Sequence, residues 1–203
     1  AFQNGEDIHS RTASHVLNVP LDAVLPEMRR TAKVVNFGIM YGAGPFRMSQ
    51  ELEIPRIEAV AIIDSYFDQY SGIRNYIDST LEKARNDKFV ETMLGRRRPV
   101  WDANSDNGLK RQAAERMAIN MPIQGSAAEM IKLAMCSIHN EIVAQKMKSK
   151  MVLQIHDELL FEFPESEEEL LIKLVVDKME NAMKLSVPLV VDYGIGENWF
   201  EAH

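Results

Sequence analysis

The chain has 203 residues, 46% of them hydrophobic, and a formal net charge of -7 at pH 7. This length and apolar content suit one domain or two small ones, each with a packed core. A single cysteine, Cys136, excludes an internal disulfide framework and is typical of a reducing compartment. With no signal peptide at its start and no apolar run that spans a bilayer, the sequence predicts a soluble, cytoplasmic protein.

The charges are unevenly distributed along the chain. Residues 157–203 carry 12 acidic and 3 basic side chains, whereas residues 1–156 carry 18 acidic and 20 basic ones. Basic clusters stand out in the larger part, in "GRRRP" and "LKRQAAERMA". Because phosphate binding depends on local basic surface more than on total charge, the net acidity does not exclude nucleic acid as a partner.

Helical spacing dominates the first 90 residues, which predict four helices. The first follows Asn4 or Gly5, with Asp7 in its first turn. The second covers 24–42, with Pro26 at its start and a glycine at its end. Two amphipathic helices follow over 55–70 and 72–87. In the first helix the expected buried residues are Ile8, Val16 and Leu17.

The second half mixes strands with helices. A short hairpin is predicted over 88–101, turning near Gly95, and a long helix over 107–148, which Pro122 and Gly125 are expected to kink or split. A second hairpin, a helix with acids in its first turn and a last strand follow, over 150–164, 165–185 and 187–200. This order predicts an α+β fold with mostly antiparallel pairing.

The stretch "RRTAKVVNFGIMYG" carries the first candidate site. Arg29, Lys33, Phe37 and Tyr41 are four residues apart and share one helix face. Two cations about 6 Å apart along the axis match neighbouring phosphates, and the rings beyond them match a sugar and a base. The stripe therefore has the length and polarity order of a nucleoside triphosphate. The alternative is a surface helix with basic residues at its start and core aromatics further on.

The stretch "QIHDELLFE" carries the second. Alternating residues on both sides place His156, Asp157 and Glu158 at or beside a tight turn, where a hairpin holds acidic side chains rigidly for a divalent metal. One alternative is that Asp is only a favoured turn residue. Another is an HD-type metal phosphohydrolase, which needs further His and Asp ligands.

The stretch "RMAINMPIQG" carries the third. Arg116, Asn120 and Gln124 are again four apart, and their side chains are able to donate to minor-groove acceptors, which are similar in all base pairs. Such contacts test duplex shape rather than sequence. The alternative is a set of ordinary polar residues on a solvated helix face.

Together these stretches resemble family A DNA polymerases, the bacterial DNA polymerase I type. "RRTAKVVNFGIMYG" looks like the family's nucleotide-binding helix. "QIHDELLFE" looks like the family's palm hairpin, which carries a catalytic aspartate. "ETMLGRRRPV" and "RMAINMPIQGSAAEMIKLAM" resemble family segments between those two, in the same order. The resemblance covers essentially the whole chain.

The resemblance implies a role for each residue of the first site. Arg29 and Lys33 would hold the triphosphate, with a further phosphate contact from His9. Phe37 would pack beside the sugar, and Tyr41 would lie at the template-base end. Lys33 is also implied in catalysis, by stabilising phosphate charge or donating a proton to pyrophosphate.

It likewise assigns the second and third sites. Asp157 would ligate catalytic Mg²⁺ with support from Glu158, and His156 would touch the primer terminus. Primer-template DNA and deoxynucleoside triphosphates are the implied partners. The minor groove of that DNA would contact Arg116, Asn120 and Gln124.

By the same resemblance the chain is part of a polymerase. Residues 1–90 would form the fingers and residues 91–203 the C-terminal part of the palm. The upstream palm strand with the family's second metal-binding aspartate, the thumb and any exonuclease domain are not in this sequence, and its abrupt start suggests a fragment. The alternative is a non-catalytic module that binds primer-template or nucleotide.

Overall fold

The computed structural model describes residues 1–202 and divides the chain into two compact units, Ala1–Gln124 and Gly125–His203. Helices dominate, and the strands form two separate two-stranded antiparallel sheets. The predicted α+β class is confirmed. Within the described residues, no helix is both long and apolar enough to cross a membrane.

The first unit starts with five helices and a hairpin. The helices are α1 (Ile8–Val16), α2 (Pro26–Met40), α3 (Pro45–Glu51), α4 (Arg56–Gln69) and α5 (Ser71–Asp87). The hairpin pairs β1 (Phe89–Glu91) with β2 (Arg97–Pro99). Short 3-10 turns cover Phe2–Asn4, Leu21–Ala23 and Trp101–Asn104.

Local chemistry sets the ends of these elements. Asp7 caps α1, since its side chain accepts a hydrogen bond from the Ser10 amide at 2.6 Å. Pro26 opens α2 without costing an intrahelical hydrogen bond. Gly42 and Gly95 adopt φ angles of 72° and 84°, which let the chain reverse after α2 and within the β1–β2 hairpin.

The long helix α6 (Gly108–Ala144) contains the division between the units. The second unit continues with β3 (Lys150–Ile155), β4 (Glu158–Glu162), a 3-10 turn at Glu165–Glu167, α7 (Glu168–Glu180) and α8 (Trp199–Ala202). As predicted, acids fill the first turn of α7, namely Glu168 and Glu169.

Three apolar clusters stabilise the interiors of the two units, two in the first unit and one in the second. In the first unit, one joins α2 to the helices after it through Val35, Ile39, Met48, Ala59 and Tyr66. Another joins α5 and the hairpin to α6 through Ala84, Val90, Val100, Ala103, Ala114 and Ala118. In the second unit, α6 packs on α7 through Ala134, Ile138, Ile142, Leu171 and Leu174.

Three sequence expectations need correction, and a further one is contradicted in part. Leu17 is 37% exposed, and Thr12 and Ala13 are the buried residues of α1. Helix α3 lies in a stretch without a predicted element. Of the kink or split expected at Pro122 and Gly125, the split does not occur, since α6 runs through both residues, and the kink stays a prediction. Proline removes one hydrogen bond, and buried residues just before it, Ala118 and Ile119, keep the helix packed.

The predicted last strand is also wrong. Side chains at 187–192 alternate between partly buried and exposed, as in a strand, but no strand of the described residues pairs with this segment. Its Val191 amide donates to the Glu180 side chain at 3.1 Å instead. The sequence pattern supplies the alternation, whereas a strand also requires a hydrogen-bonded neighbour.

Candidate functional site

Helix α2 has two distinct faces. Its buried side consists of Ala32, Val35, Asn36, Gly38 and Ile39. The opposite stripe of Arg29, Lys33, Phe37 and Tyr41 is exposed. Since the two rings are 45% and 42% exposed, the alternative that they are core residues is wrong.

The side chains of the stripe contact one another in sequence order. The rings of Phe37 and Tyr41 stack, with centroids 6.1 Å apart and planes 11° from parallel. The Lys33 Nζ atom lies 6.0 Å from the Phe37 centroid. The stripe therefore presents a continuous surface that changes from cationic to aromatic, able to contact phosphates at one end and an aromatic base at the other.

Helix α1 adds His9 to this surface. Its ring lies 5.6 Å from the Phe37 ring, centroid to centroid, and its Nδ1 lies 2.9 Å from the Asn36 amide nitrogen. Burial lowers the pKa of His9, the nearby Arg29 and Lys33 lower it further, and Asp7 opposes them. Burial and the two cations therefore favour the neutral imidazole.

Arg29 is paired in this structure. Its Nε and Nη2 donate to the two carboxylate oxygens of Asp7 at 3.1 and 2.7 Å. This bidentate pair holds the pKa of Asp7 well below its usual range and raises that of Arg29. It also explains why a cation is tolerated at the N-terminus of α2, where the helix dipole disfavours it. The sequence shows Asp7 only as a first-turn residue of α1.

A buried polar network lies behind the stripe. The Asn36 side chain is 8% exposed and accepts a hydrogen bond from Thr12 Oγ1 at 3.1 Å. The Thr12 hydroxyl in turn lies 3.1 Å from that of Tyr70. Sequence reasoning missed these residues, although an asparagine on the apolar face of α2 was a visible signal.

A cleft of about 440 Å³ lies beside the stripe, between α2 and α3. It brings two further cations, Arg30 and Arg47, to the surface that holds Lys33. Arg47 is paired with Glu51 at 2.7 Å. The whole lining comprises Arg30, Lys33, Val34, Phe37, Gly38, Tyr41, Ala43, Arg47 and Glu51.

The hairpin of the second unit turns where the sequence predicts. Ile155 pairs with Glu158, so His156 and Asp157 form a two-residue loop. His156 has a φ of 51°, and its carbonyl accepts a hydrogen bond from the Gln154 side chain at 2.7 Å. All three predicted residues, His156, Asp157 and Glu158, are exposed.

The hairpin offers part of a metal-ligand set. In residues 1–202, Asp157 has no hydrogen-bond or ion-pair partner, so its carboxylate is available to a ligand. Mg²⁺ is usually held by one or two carboxylates, with water and phosphate oxygens completing its shell. Asp157 and Glu158 fit that mode. The described chain has no group of three or more His, Cys, Asp or Glu placed to hold an ion, as an HD-type site requires.

The third predicted set occupies α6 within the first unit. Arg116 and Gln124 are exposed, whereas Asn120 is partly buried. Within residues 1–202, the buried Oδ1 of Asn120 has no hydrogen-bond partner. A β-carbon on Gly42 would lie 3.2 Å from the Arg116 Cγ, so this set begins beside the end of α2.

The structure thus brings five predicted residues together on one surface of the first unit: His9, Arg29, Lys33, Phe37 and Tyr41. The α6 set lies in the same unit, and the hairpin set lies in the second unit. Roles for all these residues stay predictions.

Comparison with known proteins gives one family. The sequence model described as DNA polymerase family A matches residues 1–201. The thermostable DNA polymerase I of Thermus thermophilus is 49% identical over 201 residues, which are 99% of this chain and 24% of that protein. DNA polymerase I of Streptococcus pneumoniae is 48% identical over 203 residues, which are 100% of this chain and 23% of that protein.

A solved structure has the same fold. It is described as the POL domain of Pol1 from M. smegmatis in complex with DNA primer-template and dNTP, and it is 44% identical with a TM-score of 0.96. The match covers 100% of this chain and 36% of that one. The chain spans about a quarter of the length of the curated relatives it matches.

Proposed function

Because the chain belongs to DNA polymerase family A, we propose that it forms part of a template-directed DNA polymerase, which adds deoxynucleotides to the 3′ end of a primer. Residues 1–90 belong to the fingers and residues 91–203 to the C-terminal part of the palm in this proposal. Its partners are primer-template DNA and deoxynucleoside triphosphates, the same ligands as those of the similar mycobacterial polymerase domain. The single cysteine is in keeping with a cytoplasmic location.

The exposed stripe of α2 carries the proposal. Arg29, Lys33 and His9 bind the triphosphate, and Phe37 and Tyr41 contact the sugar and the template-base end. Their support is the order of cations and rings along one exposed face, with His9 packed against it. A buried cluster fixes the opposite face of the helix and keeps this order rigid.

In the reaction, the primer 3′ oxygen attacks the α-phosphorus of the bound triphosphate, and pyrophosphate leaves. Negative charge grows on the leaving phosphates, and Lys33 stabilises it or donates a proton to the pyrophosphate. Arg29 and His9 orient the same phosphates, so that the α-phosphorus stays in line with the attacking oxygen.

The hairpin residues bind the metal and the primer end. Asp157, with Glu158 beside it, holds Mg²⁺, and His156 touches the primer terminus. When bound, the ion supplies positive charge that activates the attacking oxygen and offsets the charge of the leaving group. Arg116, Asn120 and Gln124 follow the minor groove of the primer-template duplex, where the exposed Arg116 and Gln124 act as donors.

A chimaera tests the proposal. The 201 residues of this chain that match the Thermus thermophilus polymerase, with 49% identity, replace the corresponding segment of that protein. We expect template-dependent extension of a labelled primer, and none when the chimaera also carries Asp157→Ala. A chimaera that folds by circular dichroism but extends no more primer than this control would contradict the proposal.

A further inference from the structure

The buried face of α2 contains one polar side chain with hydrogen-bonding groups, Asn36, among its alanine, valine, glycine and isoleucine neighbours. Burying an amide is costly unless its donors and acceptor are satisfied. Both ends of this amide are engaged, one by Thr12 and the other by His9. The buried Asn36 side chain is therefore placed to orient one of these two partners.

The direction of the hydrogen bonds follows from the network. Because Thr12 Oγ1 gives its one proton to Asn36 Oδ1, the Tyr70 hydroxyl is the donor in its 3.1 Å contact with Thr12 Oγ1. The other end of the amide, Nδ2, carries only protons and lies 2.9 Å from His9 Nδ1.

This direction determines the tautomer of His9. Since Asn36 Nδ2 donates, His9 Nδ1 accepts with its lone pair, and the neutral ring carries its proton on Nε2. Protonating Nδ1 as well would bring two donors face to face. The charged groups around His9 are Asp7, Arg29 and Lys33. Burial and the two cations lower its pKa, whereas Asp7 opposes them.

We propose that Asn36 is a positioning residue that fixes His9 as the Nε2–H tautomer, so that the ring donates a hydrogen bond to a phosphate oxygen. The opposite tautomer would present a lone pair at Nε2, which repels an anion. The phosphate contact rests on the proposed function of this surface, whereas the tautomer itself does not.

The tautomer is measured directly by nitrogen-15 NMR of the histidine rings in the chain of residues 1–203, at a pH where His9 is neutral. We expect His9 to be almost wholly Nε2–H in the wild-type chain. Asn36→Asp keeps the side-chain shape but replaces the donor with an acceptor, so the proton is expected to move to Nδ1. Tyr70→Phe, which removes only the outer hydroxyl of the network, is the matched control and is expected to leave the tautomer unchanged.

Two outcomes would overturn the tautomer assignment. One is a wild-type His9 that is protonated at Nδ1, which requires no variant to fold. The other is a folded Asn36→Asp chain in which the proton stays on Nε2.

Binding of inorganic tripolyphosphate tests the consequence. Asn36→Leu removes the hydrogen bond and is expected to weaken binding about threefold to tenfold, the range for one hydrogen bond. In a His9→Ala background the same substitution is expected to have no further effect, because Asn36 acts through His9. An equal loss in both backgrounds would assign Asn36 a purely structural role and overturn the proposal.

The same measurements separate this proposal from the proposed function. If the tautomer responds as expected but the wild-type chain does not bind tripolyphosphate, the nucleotide-binding role of the surface fails and the tautomer assignment stands. If tripolyphosphate binds but Asn36→Asp leaves the His9 tautomer unchanged, the positioning role of Asn36 fails and the binding role of the surface stands.

Discussion

Asp7 joins two helices through a single carboxylate, since it caps α1 and pairs with Arg29 of α2. Its pKa is lowered, first by the hydrogen bond from Arg29 and then by the amide of Ser10. A lowered pKa in the folded state stabilises the protein above the unfolded value of about 3.9. That contribution is lost as the pH falls from there through the folded value.

This predicts a pH-dependent gap between the wild-type chain and Asp7→Asn. At pH 7 the variant is expected to be the less stable, by a small margin because the pair is at the surface. The margin is expected to shrink as the pH falls below about 4. Urea unfolding at pH 7, 5 and 3 measures it, with Glu27→Gln at the start of α2 as a charge-matched control. A margin that is constant with pH would contradict the prediction.

Lys33 lies between Arg29 and Phe37 along the stripe, and its Nζ atom is 6.0 Å from the centroid of the Phe37 ring. We expect Lys33→Ala in the chimaera to slow single-turnover nucleotide incorporation by about 10²–10³, because it removes a charge that meets the leaving phosphates. Affinity for primer-template is expected to stay nearly unchanged, and Lys132→Ala, a lysine of the other unit, serves as control. A rate within threefold of the parent would remove Lys33 from the mechanism.

At the scale of elements, the end of α2 depends on Gly42. Its φ is 72°, and a β-carbon there would lie 3.2 Å from the Arg116 Cγ and 3.6 Å from the Ile119 Cδ1. We expect Gly42→Ala to lower the free energy of unfolding by about 1–2 kcal/mol for the backbone alone, and by more because Arg116 must move.

Gly95→Ala is the matched control for this substitution. Gly95 also has a positive φ, 84°, but no atom lies within 4 Å of its added carbon. Chemical denaturation of both variants separates backbone strain from crowding. Equal losses at the two positions would contradict crowding at Gly42.

Most elements are predictable from the sequence because their signals are local. Apolar residues three and four apart locate α1, α2 and α4 to α7, and Gly95 and the His156–Asp157 loop locate the two hairpins. Helix α3 escapes because its seven residues, Pro45–Glu51, are too few for a periodic pattern. The prediction of a last strand fails because a strand requires a second segment to pair with. The alternating pattern of one segment does not show whether such a partner is present.

The candidate site divides in the same way. Spacing along one helix is sufficient to group Arg29, Lys33, Phe37 and Tyr41. Asp7 and Thr12 belong to another helix, so their contacts with α2 become visible only when α1 and α2 pack together. The boundary between fingers and palm at 90/91 stays a prediction, because it is defined by function. The two compact units of the structure meet at a different place, after Gln124.

At the scale of the whole molecule, the acidic residues assigned to catalysis come from one hairpin. We expect the polypeptide of residues 1–203 alone to show no primer extension with Mg²⁺ or Mn²⁺. Two metal ions about 3.5–4 Å apart need carboxylates from more than one strand, and the described residues contain no third ligand grouped with Asp157 and Glu158.

A radiolabelled primer makes this measurement sensitive, and the same polypeptide with Asp157→Ala sets the background. Tripolyphosphate binding by the unsubstituted polypeptide shows that the α2 surface is intact in the same sample. Template-dependent extension above the background would contradict the prediction and reveal a further carboxylate ligand.

The pairing of Arg29 with Asp7 also changes how ligand binding responds to salt. An unpaired arginine that neutralises a phosphate releases the counterions held by that phosphate, and their release makes affinity fall steeply as salt rises. Arg29 already holds an anionic partner, so a phosphate exchanges with a carboxylate rather than filling a vacant position. The exchange releases few ions at this residue, and its share of the affinity is therefore less sensitive to ionic strength than that of Lys33.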